Sequence, residues 1–353
     1  EDKKAKRKQR HTAKRVYQRL AEKYRENFTC SYRTVAGYVA KSKKEIFGQR
    51  AGYLPLEHIP GEAQGDFGEA EYYENGRLYS GKYLNLSFPY SNQGYFQLFK
   101  GENQECLFEG LISIFEHIGG VPPRIWFDNT KTIVTKVLKD GGRTLTVDFL
   151  RLSEHYRFEA VFCNVEAGHE KGNVEGKVGY HRRNWLVPVP RFERLAEFNQ
   201  ELLKTCDADA EREHYRKDAT IAELHAADKA ALMALPAMPL DVSKYITVKT
   251  NGYGRFYLGN GLHEYSVSPQ YANSRVLVKI TAGEVIPLDK SHQPIVRHQR
   301  LYGDSRQQSM QWLPYLTQLS HSPNALKYTG IYPMLPESLK VYLAKCGRSD
   351  KGK

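Results

Sequence analysis

Residues 63–101, AQGDFGEAEYYENGRLYSGKYLNLSFPYSNQGYFQLFKG, decide the fold. Three runs within this stretch, 63–73, 77–88 and 95–101, are rich in aromatic and apolar residues and separated by Asn, Gly and Ser. They read as three consecutive strands joined by hairpins. Residues 102–120, ENQECLFEGLISIFEHIGG, follow as a helix with Leu107, Leu111, Ile114, Phe115 and Ile118 on one face, stopped by the glycine pair. PPRIWFDN, 122–129, is a short buried strand with Asp128 at its C-terminal end, where open α/β sheets present functional side chains. A loop with a Gly-Gly turn then leads to a helix at 148–158, a strand at 159–163, an irregular stretch at 164–169 and a last helix from Lys171 to Trp185.

Working outward toward the N-terminus, residues 47–62 carry two prolines and three glycines without a clear period and read as a linker. Before them, HTAKRVYQRLAEKYREN places Ala13, Val16, Tyr17, Leu20 and Tyr24 on one helical stripe. After a short turn, Ser31 caps a second helix, YRTVAGYVAKSKKEI, with Val35, Tyr38, Val39 and Ile46 expected inward. Arg33, Lys41 and Lys44 lie off that stripe. Two short helices with a basic second member predict a helix-turn-helix over residues 1–46, the second helix reading DNA in the major groove; the alternative is a plain basic hairpin.

In the other direction, the runs FERLAEFNQELLKTC and ATIAELHAADKAALMAL predict a helical connector over 191–241. Six short strands separated by Asn-Gly and Gly-rich turns then predict a small β-barrel over 242–303, and 304–353 reads as a helical tail. The fold class is multidomain α+β, with 63–190 as the central core.

The chain has 353 residues, too many for one ordinary core, and a net charge of +12. Residues 1–50 hold 16 Lys or Arg against 5 Asp or Glu, which leaves 36 basic and 35 acidic residues for the rest. The N-terminal arm is therefore the electrostatic grip for a polyanion. Cys30, Cys106, Cys163, Cys206 and Cys346 form no zinc pattern and read as reduced thiols of a cytosolic protein. No stretch approaches the roughly 18 apolar residues of a membrane span. The sequence opens at Glu1 without methionine, which leaves room for an upstream piece.

Three acids carry the chemistry: Asp66 in GEAQGDFGEAEYY, Asp128 in PPRIWFDNT and Glu175 in HEKGNVEGKVGYHRRNW. Phosphodiester cleavage needs an activated oxygen nucleophile and compensation for charge on the attacking and leaving oxygens, and two divalent ions about 3.5–4 Å apart supply both. Mg²⁺, with Mn²⁺ as the alternate ion, takes oxygen ligands and keeps several waters, so three converging carboxylates suffice. Each acid also has a plain structural reading: a strand residue facing solvent, a cap on the turn after its strand, a helix-surface partner for Lys171 or Lys177. Glu170 rivals Glu175, but five positions turn a helix by about 140°, so only one of them can face the ions. Glu175, a full turn inside the helix, is preferred. Lys171, Lys177, Arg182 and Arg183 give the same helix a basic flank suited to phosphates, and Asn129 and Lys131 are placed to position substrate oxygens.

The segments PGEAQGDFGEA, IWFDNTKT and AGHEKGNVEGKVGYHRRNWLVPVP resemble the signature segments of IstA-type bacterial insertion-sequence transposases, DDE enzymes of the retroviral-integrase superfamily. TCSYRTVAGYV resembles that family's DNA-reading helix, and GYGRFYLGNGLHEYSVSPQYANSRVLVKI its C-terminal, SH3-like barrel. The resemblance implies an RNase H-like catalytic core over 63–190 with Asp66, Asp128 and Glu175 as its metal ligands. It also implies a further helix-turn-helix upstream, action as a dimer or tetramer on paired transposon ends, an IstB-type AAA+ ATPase as partner, and work in the bacterial cytoplasm at the nucleoid. Gly65 and Thr130 depart from the family pattern, where a bulkier residue and Leu are expected. The resulting expectation is a transposase that binds terminal repeats, frees 3′ ends and joins them to target DNA. Its rivals are an inert DNA-binding regulator and an RNase H-like nuclease that cuts without joining.

Overall fold

The computed structural model describes residues 11–47, 58–128, 132–137, 143–162, 172–321 and 323–346. The chain divides into two compact units, Glu1–Leu56 and Glu57–Lys353.

In the first unit, α1 (Ala13–Tyr24) starts at Thr12, whose hydroxyl accepts the Arg15 N–H at 3.1 Å. A single 3₁₀ turn, Arg25–Asn27, precedes α2 (Tyr32–Phe47), which Ser31 caps by accepting the Thr34 N–H at 3.2 Å. The Tyr17 ring meets Phe28 and Tyr32 edge-on at 5.3 and 5.7 Å. Val35 is buried, but Tyr38 and Ile46, expected inward, are 72% and 49% exposed. One partner helix covers only one line of contact, so the outer edges of the α2 stripe stay open.

The second unit is built on a sheet whose hydrogen-bonded order runs 93–99, 77–88, 63–74, 124–127, 159–162. β1 (Ala63–Glu74) and β2 (Arg77–Phe88) form a long antiparallel hairpin through Asn75-Gly76, both at positive φ as the tight turn requires. β3 (Gln93–Phe99) runs antiparallel to β2, while β4 (Arg124–Phe127) and β7 (Glu159–Phe162) run parallel to β1. This mixed α/β arrangement agrees with the expected RNase H-like core. Alternation divides the sheet cleanly. Leu84 and Leu86 of β2 share one face with Ile125 and Phe127 of β4. Against it lie α3 (Gln104–Ile118), capped by Asn103, and α4 (Val147–Tyr156), capped by Thr146, with Leu107, Leu111, Phe115 and Phe149 buried in the contact. The other face is crossed by α5 (Gly172–Trp185).

Two readings change. The segment expected to be a loop before α4 contains a two-stranded ladder, β5 (Val134–Val137) with β6 (Arg143–Leu145); strands of four and three residues are too short for alternation to register. Its Gly-Gly turn and the stretch 164–169 lie outside the described residues. β8 (Arg191–Phe192) adds to the end of β1. α6 (Leu195–Asp209) and α7 (Ile221–Ala230) follow, and the helical reading past Ala230 fails because Met233 pairs with Val121 instead, both backbone bonds at 2.9 Å.

The six later strands form as β9 (Lys244–Lys249), β10 (Arg255–Leu258), β11 (His263–Ser266), β12 (Arg275–Ile280), β13 (Glu284–Leu288) and β14 (His298–Gln299). A seventh, β15 (Gln307–Ser309), lies within the segment read as helical tail. They make two sheets, β14-β13-β12-β9 and β10-β11-β15, that share a second core of Phe256, Tyr265, Val278, Ile280 and Val285. The tail then supplies α8 (Leu313–His321) and α9 (Glu337–Lys345). Cys30, Cys106, Cys206 and Cys346 are free thiols, and Cys163 lies outside the described residues. Among the described residues no helix is long and apolar enough to cross a membrane.

Candidate active site

Gly65 of β1 and Phe127 of β4 are register partners on parallel strands, and each is followed at once by an aspartate, Asp66 and Asp128. Neighbouring strands stand about 4.8 Å apart, so the two residues stand side by side. Both are half-buried and line one small crevice with Phe67, Phe127 and Ile133. Asp66 Oδ1 accepts the Phe67 N–H at 2.9 Å, which orients the carboxylate. Gly65 departs from the family pattern for a visible reason: a Cβ there would come within 2.9 Å of the Phe127 ring.

α5 is tied down over the face opposite α3. Tyr83 on β2 donates its hydroxyl to the Val178 carbonyl at 2.6 Å, and its ring crosses β1 at Gly68, where a Cβ would stand 2.2 Å from the ring. Burial pushes the Tyr83 phenol up to about 12, so it remains a donor throughout the physiological range. Further along the helix, His181 stacks on Phe96 of β3 with centroids 4.5 Å apart. Glu175 lies one turn before Val178 in the same helix; its side chain is outside what is described. Glu170, Asn129, Lys131 and Lys171 also fall outside the described residues, as does Thr130.

The basic flank of α5 is smaller than expected. Arg182 and Arg183 are exposed, and the charge of Arg182 reaches Glu69 and Tyr83. Lys177, expected to hold phosphate, is only 4% exposed; its ammonium lies 5.2 Å from the Tyr180 ring centroid, and burial together with Arg212 pushes it down to about 8. It is packed into the protein and is withdrawn as a DNA contact. Arg33, Lys41 and Lys44 are exposed on α2.

Sequence reasoning passed over the polar residues buried between α5 and the sheet, above all Asn85 and Ser87 of β2 and His181 of α5. The signal was present in Tyr83-Leu84-Asn85-Leu86-Ser87-Phe88, whose alternation puts Leu and Phe on one face and Tyr, Asn and Ser on the other. Among the described residues no cluster of three or more His, Cys, Asp or Glu side chains forms. The two aspartates are hard oxygen donors, half open to water, which is the donor chemistry that Mg²⁺ accepts.

No family model matches the chain. It is 30% identical over 343 residues to the transposase for insertion sequences IS1326/IS1353 of Pseudomonas aeruginosa, spanning 93% of this chain and 67% of that protein. A transposase of Aminobacter aminovorans is 28% identical over 98% of this chain and 69% of its own length. The transposase for insertion sequence element IS21 of Pseudomonas aeruginosa is 25% identical over 67% of this chain and 60% of its own. Among solved structures, the HTLV-2 integrase catalytic core domain in complex with magnesium is 15% identical with a TM-score of 0.33, covering 48% of this chain and 99% of that one. A chain of the simian T-cell lymphotropic virus intasome is 14% identical with a TM-score of 0.36, covering 82% and 100%.

Proposed function

Since the chain belongs to the bacterial insertion-sequence transposases, we propose that it binds the terminal repeats of its element, frees their 3′ ends and joins those ends to target DNA. The observation that carries this reading is the pair Asp66 and Asp128, which directly follow the paired Gly65 and Phe127 of two parallel strands and line one crevice. Asp66, Asp128 and Glu175 are the residues that would hold Mg²⁺ or Mn²⁺. When bound, two such ions compensate the charge on the attacking and leaving oxygens of an in-line displacement.

The chain's own residues do the rest. The Phe67 N–H holds one oxygen of Asp66, and Tyr83 fixes α5, hence the backbone of Glu175, against the strands that carry the aspartates. Arg182 and Arg183, exposed on the same helix, take backbone phosphates, and Asn129, Lys131 and Lys171 keep their proposed places beside the substrate. Arg33, Lys41 and Lys44 form the reading face of a helix-turn-helix. Water and then the DNA 3′-hydroxyl serve as nucleophiles, without a covalent protein–DNA intermediate. The protein works as a homo-oligomer on paired ends, with an IstB-type ATPase as its partner in target choice.

Transfer of a labelled, pre-cleaved transposon end into a plasmid in Mg²⁺ tests the proposal. Joined product is expected, and its loss in Asp66→Asn. Cleavage without joining would leave the nuclease reading, and binding without either reaction the inert regulator.

A further inference from the structure

On the face that α5 crosses, register lines up Asp66, Asn85 and Phe96, one from each of β1, β2 and β3, with Asp128 next in line just past the end of β4. Asp66 is the register partner of Asn85 and Asn85 of Phe96, while Asp128 follows directly on the paired Gly65 and Phe127. Asn85 thus continues the line of two carboxylates by one strand. It is fully buried, and among the described residues neither its Nδ2 nor its Oδ1 has a hydrogen-bond partner. A buried amide left in this state costs about 1–3 kcal/mol per group, and proteins rarely tolerate it without a reason.

The two faces of the sheet differ in this respect. Among the described residues of the sheet, those with a buried, unpartnered side-chain polar atom are Tyr72, Asn85, Ser87 and Trp126, and register puts all four on the α5 face. Opposite them, the α3 face settles its buried amide: Gln97 Nε2 donates to Ser113 Oγ at 3.0 Å. The α5 face thus holds buried polar groups beside Asp66, and Asn85 is the one directly opposite it in register. Cross-strand partners have Cβ atoms about 4.5–5.5 Å apart, within reach of an amide and a carboxylate that turn toward each other.

We propose that Asn85 is a positioning residue for the metal site: its Nδ2 donates to the Asp66 carboxylate when a divalent ion is bound, holding that carboxylate turned toward Asp128. The inference rests on the reading of Asp66 and Asp128 as ligands. Ligand carboxylates are themselves commonly hydrogen-bonded, and loss of such a partner typically costs about 10–100-fold in metal affinity or activity.

The test uses Asn85→Leu, nearly the same size but without polar atoms, with Asn85→Ala as a smaller second variant. Melting temperature, Mn²⁺ binding followed by water-proton relaxation without DNA, and the Mg²⁺ dependence of strand transfer are read for each. The expected result is an unchanged or raised melting temperature, since an unpartnered amide is removed, with Mn²⁺ affinity and transfer at limiting Mg²⁺ lowered about tenfold or more. Wild-type Mn²⁺ affinity in a folded variant overturns the proposal, as does a loss of transfer matched by loss of stability with Mn²⁺ affinity intact. Asp66→Asn separates the two levels: if it binds Mn²⁺ and joins DNA like the wild type, the metal-site reading itself has failed, whatever Asn85 does.

Discussion

Asp66 and Asp128 are neighbours because Gly65 and Phe127, the residues just before them, are paired in register on parallel strands. Two carboxylates on neighbouring positions raise each other's cost of ionisation, which a bound divalent cation would offset. The rest of the α5 face follows the same logic: polar Asn85 and Ser87 are buried where packing alone would have used Leu or Val.

Asp66→Asn, Asp128→Asn and Glu175→Gln are each expected to abolish strand transfer. The ion contribution they remove is several kcal/mol, which is at least about a hundredfold in rate. End binding, followed by gel shift, should be nearly unchanged. Mg²⁺ should raise the melting temperature of the wild type and not that of Asp66→Asn, because only a protein that binds the ion is stabilised by it. A variant that joins DNA at the wild-type rate would remove its residue from the site.

Arg182 and Lys177 sit on one helix and predict opposite outcomes. Each phosphate contact contributes about 0.9 to the slope of log affinity against log salt. Arg182→Ala and Arg183→Ala should therefore each flatten the slope for end DNA by about one, with similar weakening across sequences. Lys177→Met should leave the slope alone and should not lower the melting temperature, since its ammonium is buried with no hydrogen-bond partner among the described residues. A salt slope that fell in Lys177→Met would return this lysine to the DNA surface.

How much of this could be read from residues alone depended on how sharply each element was patterned. The β1–β3 meander was legible because apolar runs and turn residues agreed over β1 and β2, each of 12 residues, and the position of Asp128 at a strand end because PPRIWF is a compact apolar run. α5 was not legible in the same way. Gly, Asn, Glu, Lys, Tyr, His and Arg are mixed around it with no apolar stripe, so nothing local says that Lys177 and His181 turn inward while Arg182 and Arg183 turn out. Tyr38 and Ile46 fail for the converse reason: α2 carries an apolar stripe wider than its partner α1 covers. Met233 was claimed for a helix by propensity and taken by a tertiary partner, Val121.

His181 makes the core sensitive to acid. Burial, reinforced by the charges of Lys177 and Arg212, holds its pKa well below the usual 6.5. In the unfolded chain the ring takes up a proton near pH 6.5, while in the folded protein it stays neutral. Stability is therefore full above about pH 6.5 and is lost as pH falls, by up to about 1.4 kcal/mol per pH unit for this group. His181→Phe keeps the stack on Phe96 and should flatten urea-unfolding stability between pH 6.5 and 5, leaving the smaller slopes of His214 and His298, which burial also lowers. An unaltered slope in the variant would show that His181 is protonated in the folded protein.

Arg300 ties the β-rich region to α3. Its Nη1 lies 3.2 Å from Glu105 Oε2 and donates to the Thr281 carbonyl at 2.7 Å, while Glu109 on the next turn of α3 accepts the Ala282 N–H at 2.6 Å. Glu105 is buried, so removing its partner leaves a carboxylate with no counter-charge in a dry place. Arg300→Met should cost about 3 kcal/mol by urea unfolding, whereas Arg300→Met combined with Glu105→Gln should recover most of that loss, because the orphaned charge is gone. If the double variant is as unstable as the single one, the contribution lies in Arg300 packing and its bond to Thr281. If neither is destabilised, the β-rich region is held by its apolar contacts with the core, through residues such as Ala282 and Tyr302.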